Sequence, residues 1–188
     1  MNKTGKIVIV LAAVLAVALG VLYGKGLMNV HHGAQLPASL AALTPQNPAK
    51  PAPDIAFTGP NGTRHALSSL KGRWVLLNMW ATWCAPCVAE LPALAKLKDA
   101  VPALTVIAVD LTHNDKPADA DKFLLGHNAA NLGAFADTDV KMMQAFMVAG
   151  LPTTILIDPN GNVVSRAEGP AQWAAPESVD YFKNIVGG

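Results

Sequence analysis

Two cysteines, Cys84 and Cys87, are the residues of this chain best suited to covalent chemistry. They are its only cysteines, and they enclose two residues in the motif Cys-Ala-Pro-Cys. The apolar run 74–80 before them predicts a strand, and the composition of residues 88–100 after them is typical of a helix. A strand that delivers cysteines to a helix N-terminus has a chemical use, because the free amides and positive dipole end stabilise a thiolate. The thiolate is the form of cysteine that attacks disulfides.

The spacing of the pair fits redox exchange better than its alternatives. A zinc site needs four ligands, and no further cysteine exists to complete one, so we predict no metal site. A chance pair of buried core cysteines is disfavoured by the strand-to-helix context. Cys84 is expected where a thiolate is stabilised and accessible, and Cys87, one helical turn later, can resolve a mixed disulfide with a partner.

Charge is distributed unevenly along the chain. Lys3, Lys6, Lys25 and Lys50 are the only charged residues before Pro51, which leaves 10 of the 14 basic residues and all 13 acidic residues for the remainder. That excess of acidic residues gives no reason to expect nucleic-acid binding. No motif calls for a cofactor. With both cysteines in one motif, stability must come from an ordinary hydrophobic core.

The N-terminus predicts a transmembrane anchor at residues 1–24. Residues 7–24 are apolar throughout, and a helix of this length covers about 27 Å, close to the hydrocarbon core of a bilayer. A cleavable signal peptide that ends at Ala16-Val17-Ala18 is the alternative. Lys3 and Lys6 favour a cytoplasmic N-terminus, which would place the rest of the chain outside.

Residues 25–53 predict a linker. They contain five prolines among small and polar residues, and this composition favours an extended tether without a core of its own. The folded domain is therefore expected at residues 54–188.

The predicted elements of this domain follow the order β-β-β-α-β-α-β-α-β-β-α. This order favours an α/β sheet domain with helices on both faces. Asn61-Gly62 and Asn160-Gly161 are strong turn signals for two hairpins. The helices are predicted at 88–100, 118–127, 140–147 and 173–186.

Three motifs carry a resemblance to the thioredoxin fold. They are Trp83–Cys87 after an apolar strand, Pro92 after the second cysteine, and Leu151-Pro152-Thr153 before a late hairpin. The wider pattern is similar to the membrane-anchored TlpA/ResA-like and cytochrome-maturation reductases, and its residues are 67–73, 76–84, 90–92 and 150–154. The resemblance implies a central mixed sheet with helices on both faces, an N-terminal hairpin extension and an inserted βα segment within 113–136.

The resemblance also implies roles for individual residues. Cys84 resembles the attacking cysteine and Cys87 the resolving one. Pro152 resembles the cis-proline that faces the disulfide, and Leu151 resembles the residue whose backbone bonds a bound partner peptide. Trp83, a large aromatic beside the attacking cysteine, is predicted to form part of the docking surface.

The chain departs from thioredoxin at the expected proton acceptor. Thioredoxins carry a buried acid six residues before the first cysteine, where this chain has Asn78, which cannot accept a proton at working pH. Glu90 lies one helical turn after Cys87 and matches an acidic position of the TlpA/ResA-like branch. We therefore predict that Glu90 accepts the proton. The alternative is a solvated glutamate on the helix surface.

Together these features predict a thiol–disulfide oxidoreductase. The resemblance implies that it reduces disulfides of extracytoplasmic proteins in cytochrome or oxidase assembly, with a membrane thiol reductant as electron donor. It implies a single-pass protein of the bacterial inner membrane, with the catalytic domain in the periplasm or at the cell exterior. The motif does not set the direction of exchange, so an oxidant of protein thiols is one alternative.

Two functions outside disulfide exchange fit less well. A Cu(I)-binding assembly chaperone could use the cysteine pair as soft ligands, although copper chaperones of the Sco type use a wider cysteine spacing. A peroxidase of the peroxiredoxin kind is disfavoured, because that family's Pro-x-x-x-Thr-x-x-Cys pattern is missing.

Overall fold

In the residues that the structure describes, 35–112 and 117–187 of a computed structural model, eight strands form one mixed sheet. Their order across the sheet is β1-β8-β7-β4-β5-β6-β2-β3. Strand β4 lies at the centre, parallel to β5 and antiparallel to β7. The strands are β1 (Leu43–Pro51), β2 (Ala56–Thr58), β3 (Arg64–Ala66), β4 (Trp74–Trp80), β5 (Leu104–Asp110), β6 (Phe135–Ala136), β7 (Thr153–Ile157) and β8 (Asn162–Glu168).

Helices cover both faces of this sheet, as the sequence predicts. One hydrophobic cluster joins the sheet to buried side chains of α1 and α4, and a second cluster on the other face includes Met142 of α3. The inserted segment is present as α2 followed by β6, and the hairpin extension as β2 and β3. The helices are α1 (Ala85–Ala100), α2 (Pro117–Gly126), α3 (Lys141–Ala145) and α4 (Pro176–Val186).

Strand β4 shows how the alternation of side chains sets up the site. Successive residues of a strand point to opposite faces, and Leu76 and Trp80 belong to the cluster that contains α1. Asn78 lies two residues from each of them, so its side chain points to the same face of the sheet. It is the polar residue of β4 that faces α1. The residues that alternate with these belong to the second cluster: Val75, Leu77 and Met79.

Helix α1 begins directly after Cys84, which is its N-cap residue with an extended backbone. Pro86 lies in the first turn, where a missing N–H removes no helical hydrogen bond. The buried side chains recur at helical spacing and form the face that packs on the sheet. They are Cys87, Glu90, Leu91, Leu94, Ala95 and Leu97.

Residues 36–53 do not form the linker that their composition predicts. Strand β1 pairs antiparallel with β8, with Leu43 opposite Ala167. Leu40 and Leu43 are buried in the core, and the compact unit begins at Leu36 instead of at residue 54. The boundary of the folded domain therefore lies about one strand earlier than predicted.

The composition of β1 predicts a linker instead of a strand because β1 lies at the edge of the sheet, where most of its residues are exposed. Leu43 is its only buried residue, and the other eight are exposed, so the segment looks solvated in the sequence. Proline is tolerated at a sheet edge, where its missing N–H can face solvent instead of a neighbouring strand. Leu40, just before the strand, and Leu43, its first residue, are buried in the core.

The predicted anchor at 1–24 and the first part of the predicted linker lie outside the described residues. Within 35–112 and 117–187, none of the helices combines the length and the apolar character needed to cross a bilayer.

Candidate active site

Cys84 and Cys87 form a disulfide at the C-terminal end of β4. A short turn connects the strand to the pair, with the Cys84 N–H donating to the Ala81 carbonyl at 3.1 Å. The Cys84 carbonyl accepts the helical bond from the Val88 N–H at 3.0 Å. Cys84 retains 5% of its surface, whereas Cys87 is fully buried. The cysteine that the sequence assigns to attack is therefore the more accessible of the two.

The turn before Cys84 is held by a network from β5. Asp110 accepts hydrogen bonds from the Thr112 N–H at 2.9 Å and the Thr112 hydroxyl at 2.6 Å. The Thr112 hydroxyl in turn accepts from the Thr82 N–H at 3.0 Å. Asp110 thus caps a turn that positions the residues leading to the disulfide. His113, which the sequence places beside it, lies outside the described residues.

The two tryptophans before the disulfide differ in exposure. Trp83 exposes 71% of its surface, whereas Trp80 is fully buried. Trp80 packs against Phe123 of α2, with ring centroids 5.5 Å apart. Trp80 is therefore a core residue. Trp83 lies outside the core, next to the proposed attacking cysteine in the chain.

The Leu151–Pro152 peptide bond is cis, as the resemblance implies. Thr153, the next residue, lies opposite Met79 in the antiparallel pairing of β7 with β4. Pro152 therefore lies at the same end of the sheet as the C-terminal end of β4, which leads to Cys84. Leu151 is partly buried and packs against both hydrophobic clusters.

Glu90 is buried, with 4% of its surface exposed. Its Oε1 accepts a hydrogen bond from Asn78 Nδ2 at 2.8 Å, and its Oε2 accepts from Trp173 Nε1 at 2.8 Å. The Ala171 N–H also donates to Oε2, at 3.4 Å. The alternative of a solvated glutamate on the helix surface is therefore wrong.

Burial raises the pKa of Glu90 above its usual value, because the charged form loses its hydration. The hydrogen bonds from Trp173, Asn78 and the Ala171 N–H stabilise the charged form and lower the pKa in part. The raised pKa brings this carboxylate closer to the range in which it can exchange protons with a thiol.

Asn78 is a donor to Glu90, whereas the sequence shows it only as the residue that replaces the acid of thioredoxin. Its Nδ2 donates to the Thr154 hydroxyl at 2.9 Å as well as to Glu90. Within the described residues, its buried Oδ1 has no hydrogen-bond partner. The available signal was a single polar residue inside an otherwise apolar strand, since buried polar groups usually have partners.

Trp173 is the site residue that the sequence does not reveal. It lies between β8 and α4, is fully buried, and packs against Phe182 with ring centroids 6.4 Å apart. Its local pattern is that of any core aromatic, and 83 residues separate it from Glu90. Only the folded chain shows that its N–H reaches the carboxylate.

No group of three or more His, Cys, Asp or Glu side chains in the described part of the chain is arranged to hold a metal ion.

Known proteins similar to this chain include thiol–disulfide oxidoreductases. The model of the AhpC/TSA family matches residues 48–166. The thiol-disulfide oxidoreductase ResA of Bacillus subtilis (strain 168) is 36% identical over 118 residues, which are 63% of this chain and 65% of that protein. The ResA of Bacillus anthracis is 34% identical over 139 residues, which are 73% of this chain and 78% of that protein. The chain thus spans just under two thirds of the Bacillus subtilis relative.

A solved structure extends this similarity to the fold. A protein from Chlorobium tepidum, described as a thiol:disulfide interchange protein DsbE, is 30% identical and superimposes with a TM-score of 0.62. The match covers 74% of this chain and 97% of that one. This confirms a thioredoxin-like α/β fold around the cysteine pair.

Proposed function

Because this chain belongs to the AhpC/TSA family, we propose that it is a thiol–disulfide oxidoreductase acting on partner proteins. The observation that carries the proposal is the Cys84–Cys87 disulfide at the start of α1, with a buried carboxylate one helical turn further on. The similar proteins named ResA and DsbE support the same activity. The missing peroxiredoxin pattern argues against a peroxidase within the family.

The exchange begins with the reduced pair. The Cys84 thiolate attacks one sulfur of a partner disulfide, forming a mixed disulfide and releasing the other partner sulfur as a thiolate. Cys87 then loses its proton, and its thiolate attacks the Cys84 sulfur. This second step releases the remaining partner thiolate and leaves the Cys84–Cys87 disulfide. Two electrons pass from the pair to the partner, which takes up two protons.

The positions of the two cysteines support this division of roles. Cys84 is the N-cap of α1, where the free amides and the helix dipole stabilise a thiolate. Cys87 is fully buried and inside the helix, so a partner reaches it only through Cys84. The buried thiol needs a local proton acceptor, and Glu90 is the candidate on the same helical face.

The docking surface is proposed to consist of Trp83, Leu151 and Pro152. Trp83 supplies an exposed aromatic ring beside Cys84, and aromatic side chains contribute strongly to protein interfaces. Leu151 and the cis-proline lie at the same end of the sheet. Backbone hydrogen bonds from this segment would fix a partner peptide across the disulfide.

We further propose that the protein works as a reductase anchored in the bacterial inner membrane. The apolar run at 7–24 and the lysines before it support a single-pass anchor with the catalytic domain outside. Its substrates would be extracytoplasmic proteins of cytochrome or oxidase assembly. A membrane thiol reductant would return two electrons to the Cys84–Cys87 disulfide after each cycle.

Trapping of the mixed disulfide tests the exchange. The Cys87→Ser variant is expected to accumulate covalent complexes through Cys84, because the resolving step is removed. These complexes should disappear on reduction and should be absent in the matched Cys84→Ser variant. If Cys87→Ser captures no partner protein in cells, the proposed exchange is wrong.

The reduction potential of the pair tests the direction. A reductase requires a potential well below that of its substrate disulfide, and about 30 mV corresponds to ~1.4 kcal/mol for a two-electron couple. Equilibration of the purified protein with glutathione redox buffers gives this value. A strongly oxidising potential would assign the protein to the oxidation of thiols instead.

A further inference from the structure

Both oxygens of Glu90 are held by donors from separate parts of the fold. Asn78 on β4 donates to Oε1 at 2.8 Å, and Trp173 from the connection between β8 and α4 donates to Oε2 at 2.8 Å. Both of these donor residues are fully buried. The orientation of the carboxylate is therefore fixed from two directions.

Within 35–112 and 117–187, the Glu90 carboxylate has fewer hydrogen-bond donors than acceptor positions, so one position can take up a proton. An ionised carboxylate offers about four acceptor positions, and Asn78, Trp173 and the Ala171 N–H occupy three of them in the described residues. A freely rotating glutamate has three rotatable bonds and would distribute its acceptor positions over many directions. Because both oxygens are fixed, the one acceptor position of the carboxylate without a donor in this part of the chain points in a single direction.

We propose that Trp173 is a positioning residue for Glu90, which holds the carboxylate so that it can exchange a proton with Cys87 during resolution. This role deepens the proposed exchange and depends on it. Trp173 does not touch the reacting sulfurs in this scheme. It acts through its indole N–H, and the rest of its ring packs in the core against Phe182.

Among the described residues, the groups that donate hydrogen bonds to the carboxylate are neutral. They are the Asn78 amide from β4, the Trp173 indole, and the Ala171 N–H. Cys87 is the titratable group one turn away on the same helix once the disulfide is reduced. In the oxidised protein, where Cys87 does not titrate, the Trp173 N–H should therefore report the charge of Glu90 directly.

Trp80 provides a matched internal control. Like Trp173 it is fully buried, but its Nε1 has no hydrogen-bond partner in the described residues. The two side chains are chemically identical and differ in the carboxylate acceptor. Any property that depends on burial alone should be the same for both.

The test is a pH titration of the oxidised full-length protein labelled with ¹⁵N at its four tryptophans and with ¹³C at the glutamate carboxyls. The Trp173 indole signal is expected to shift with the same midpoint as the Glu90 carboxyl, while the Trp80 signal stays constant. In Glu90→Gln the titration of the Trp173 signal should be lost. A Trp173 signal that stays constant while Glu90 titrates would overturn the proposal.

Matched variants connect the contact to the chemistry. Trp173→Phe removes the N–H that stabilises the charged carboxylate, so the Glu90 titration and the acidic limb of the exchange rate should both move to higher pH. Trp80→Phe makes the same change without an acceptor and should leave both in place. Equal shifts in the two variants would reduce Trp173 to a packing role.

The carboxyl titration and the exchange rate test the role of Trp173 and the proposed function separately. If wild type exchanges no disulfides, the proposed function fails, and with it the catalytic use of Glu90. The carboxyl titration still decides whether Trp173 holds Glu90, because it is measured without substrate and in the folded wild-type protein even if Trp173→Phe does not fold.

Discussion

The site has an outer side, where Trp83 next to Cys84 exposes 71% of its surface, and an inner side, where the fully buried Trp173 donates a hydrogen bond to Glu90. The outer side presents an apolar ring to solvent at the surface proposed for partner docking. The inner side encloses a carboxylate and supplies its hydrogen bonds from two distant elements. The proposed exchange uses both, because the partner would arrive from outside while the resolving thiol would lose its proton inside.

The two sides contribute to folding in opposite ways. An exposed aromatic contributes little to folding and is available for binding. A buried carboxylate destabilises the folded state unless its hydrogen bonds are satisfied. Removing an inner residue should therefore affect stability and proton transfer, and removing an outer residue should affect partner binding alone.

The largest effect is expected for Trp173→Ala. Truncation of a buried tryptophan leaves a cavity, and such changes lower the free energy of unfolding by about 3–5 kcal/mol. Here the Glu90 Oε2 also loses a donor, which adds to the loss. Urea unfolding of the oxidised variant measures it, with Trp83→Ala as the control that should stay within ~0.5 kcal/mol of wild type. Similar losses of stability in the two variants would show that the inner and outer tryptophans do not differ in their contribution to folding.

The next largest effect is expected for Glu90→Gln. Loss of a general base slows the step that it serves by about 10²-fold or more, so release of the partner from the mixed disulfide should slow at neutral pH. Rapid-quench measurement of the mixed disulfide with a model substrate follows this step. Asp99→Asn, which removes an exposed acid from the same helix, is the control. Wild-type release by Glu90→Gln would show that the inner carboxylate is not the base.

A smaller effect is expected for Trp83→Ala, and it should appear only with protein substrates. Loss of an exposed aromatic contact of about 1.4 kcal/mol lowers kcat/KM about tenfold. A small disulfide such as oxidised dithiothreitol makes little contact with this surface and should react at the wild-type rate. If both substrates are affected equally, Trp83 acts on the cysteine pair instead of on docking.

The smallest effect is expected in the pH dependence of stability. The pKa of Glu90 is raised in the folded protein, so the protonated form favours folding. Stability from this group is fully present below the usual pKa of 4.5 and is lost as the pH rises through the raised value. One proton limits the slope to about 1.4 kcal/mol per pH unit.

Unfolding of wild type and Glu90→Gln at a series of pH values isolates this contribution. The advantage of Glu90→Gln over wild type should grow with pH across that window and then level off. Burial also raises the pKa of Asp137, which adds the same trend to both proteins and cancels in the difference. A difference that does not vary with pH would mean that Glu90 titrates normally.

The part of the site that is local in sequence could be predicted. Strand β4, the turn and α1 follow one another, and their alternation and helical spacing place Cys84, Cys87 and Glu90. The cis bond at Pro152 follows from the family resemblance instead. These residues are recognisable because each lies within a short motif.

The parts that depend on long-range packing could not be predicted. Trp173 reaches Glu90 across 83 residues, and nothing in its own segment distinguishes it from other core aromatics. Residues 43–51 form strand β1 because they pair with β8, although most of them are exposed. Local composition cannot report a partner that lies at the other end of the chain.

The pairing of β1 with β8 also orders events during synthesis. Because the chain emerges from its N-terminus, the cysteine pair is complete before β7, β8 and Trp173 have been made. Until then β1 has no neighbouring strand, and the Glu90 carboxylate lacks its indole donor. A nascent chain therefore presents two thiols without the buried acid network of the finished protein, and its cysteines acquire their native environment only with the last fifth of the sequence.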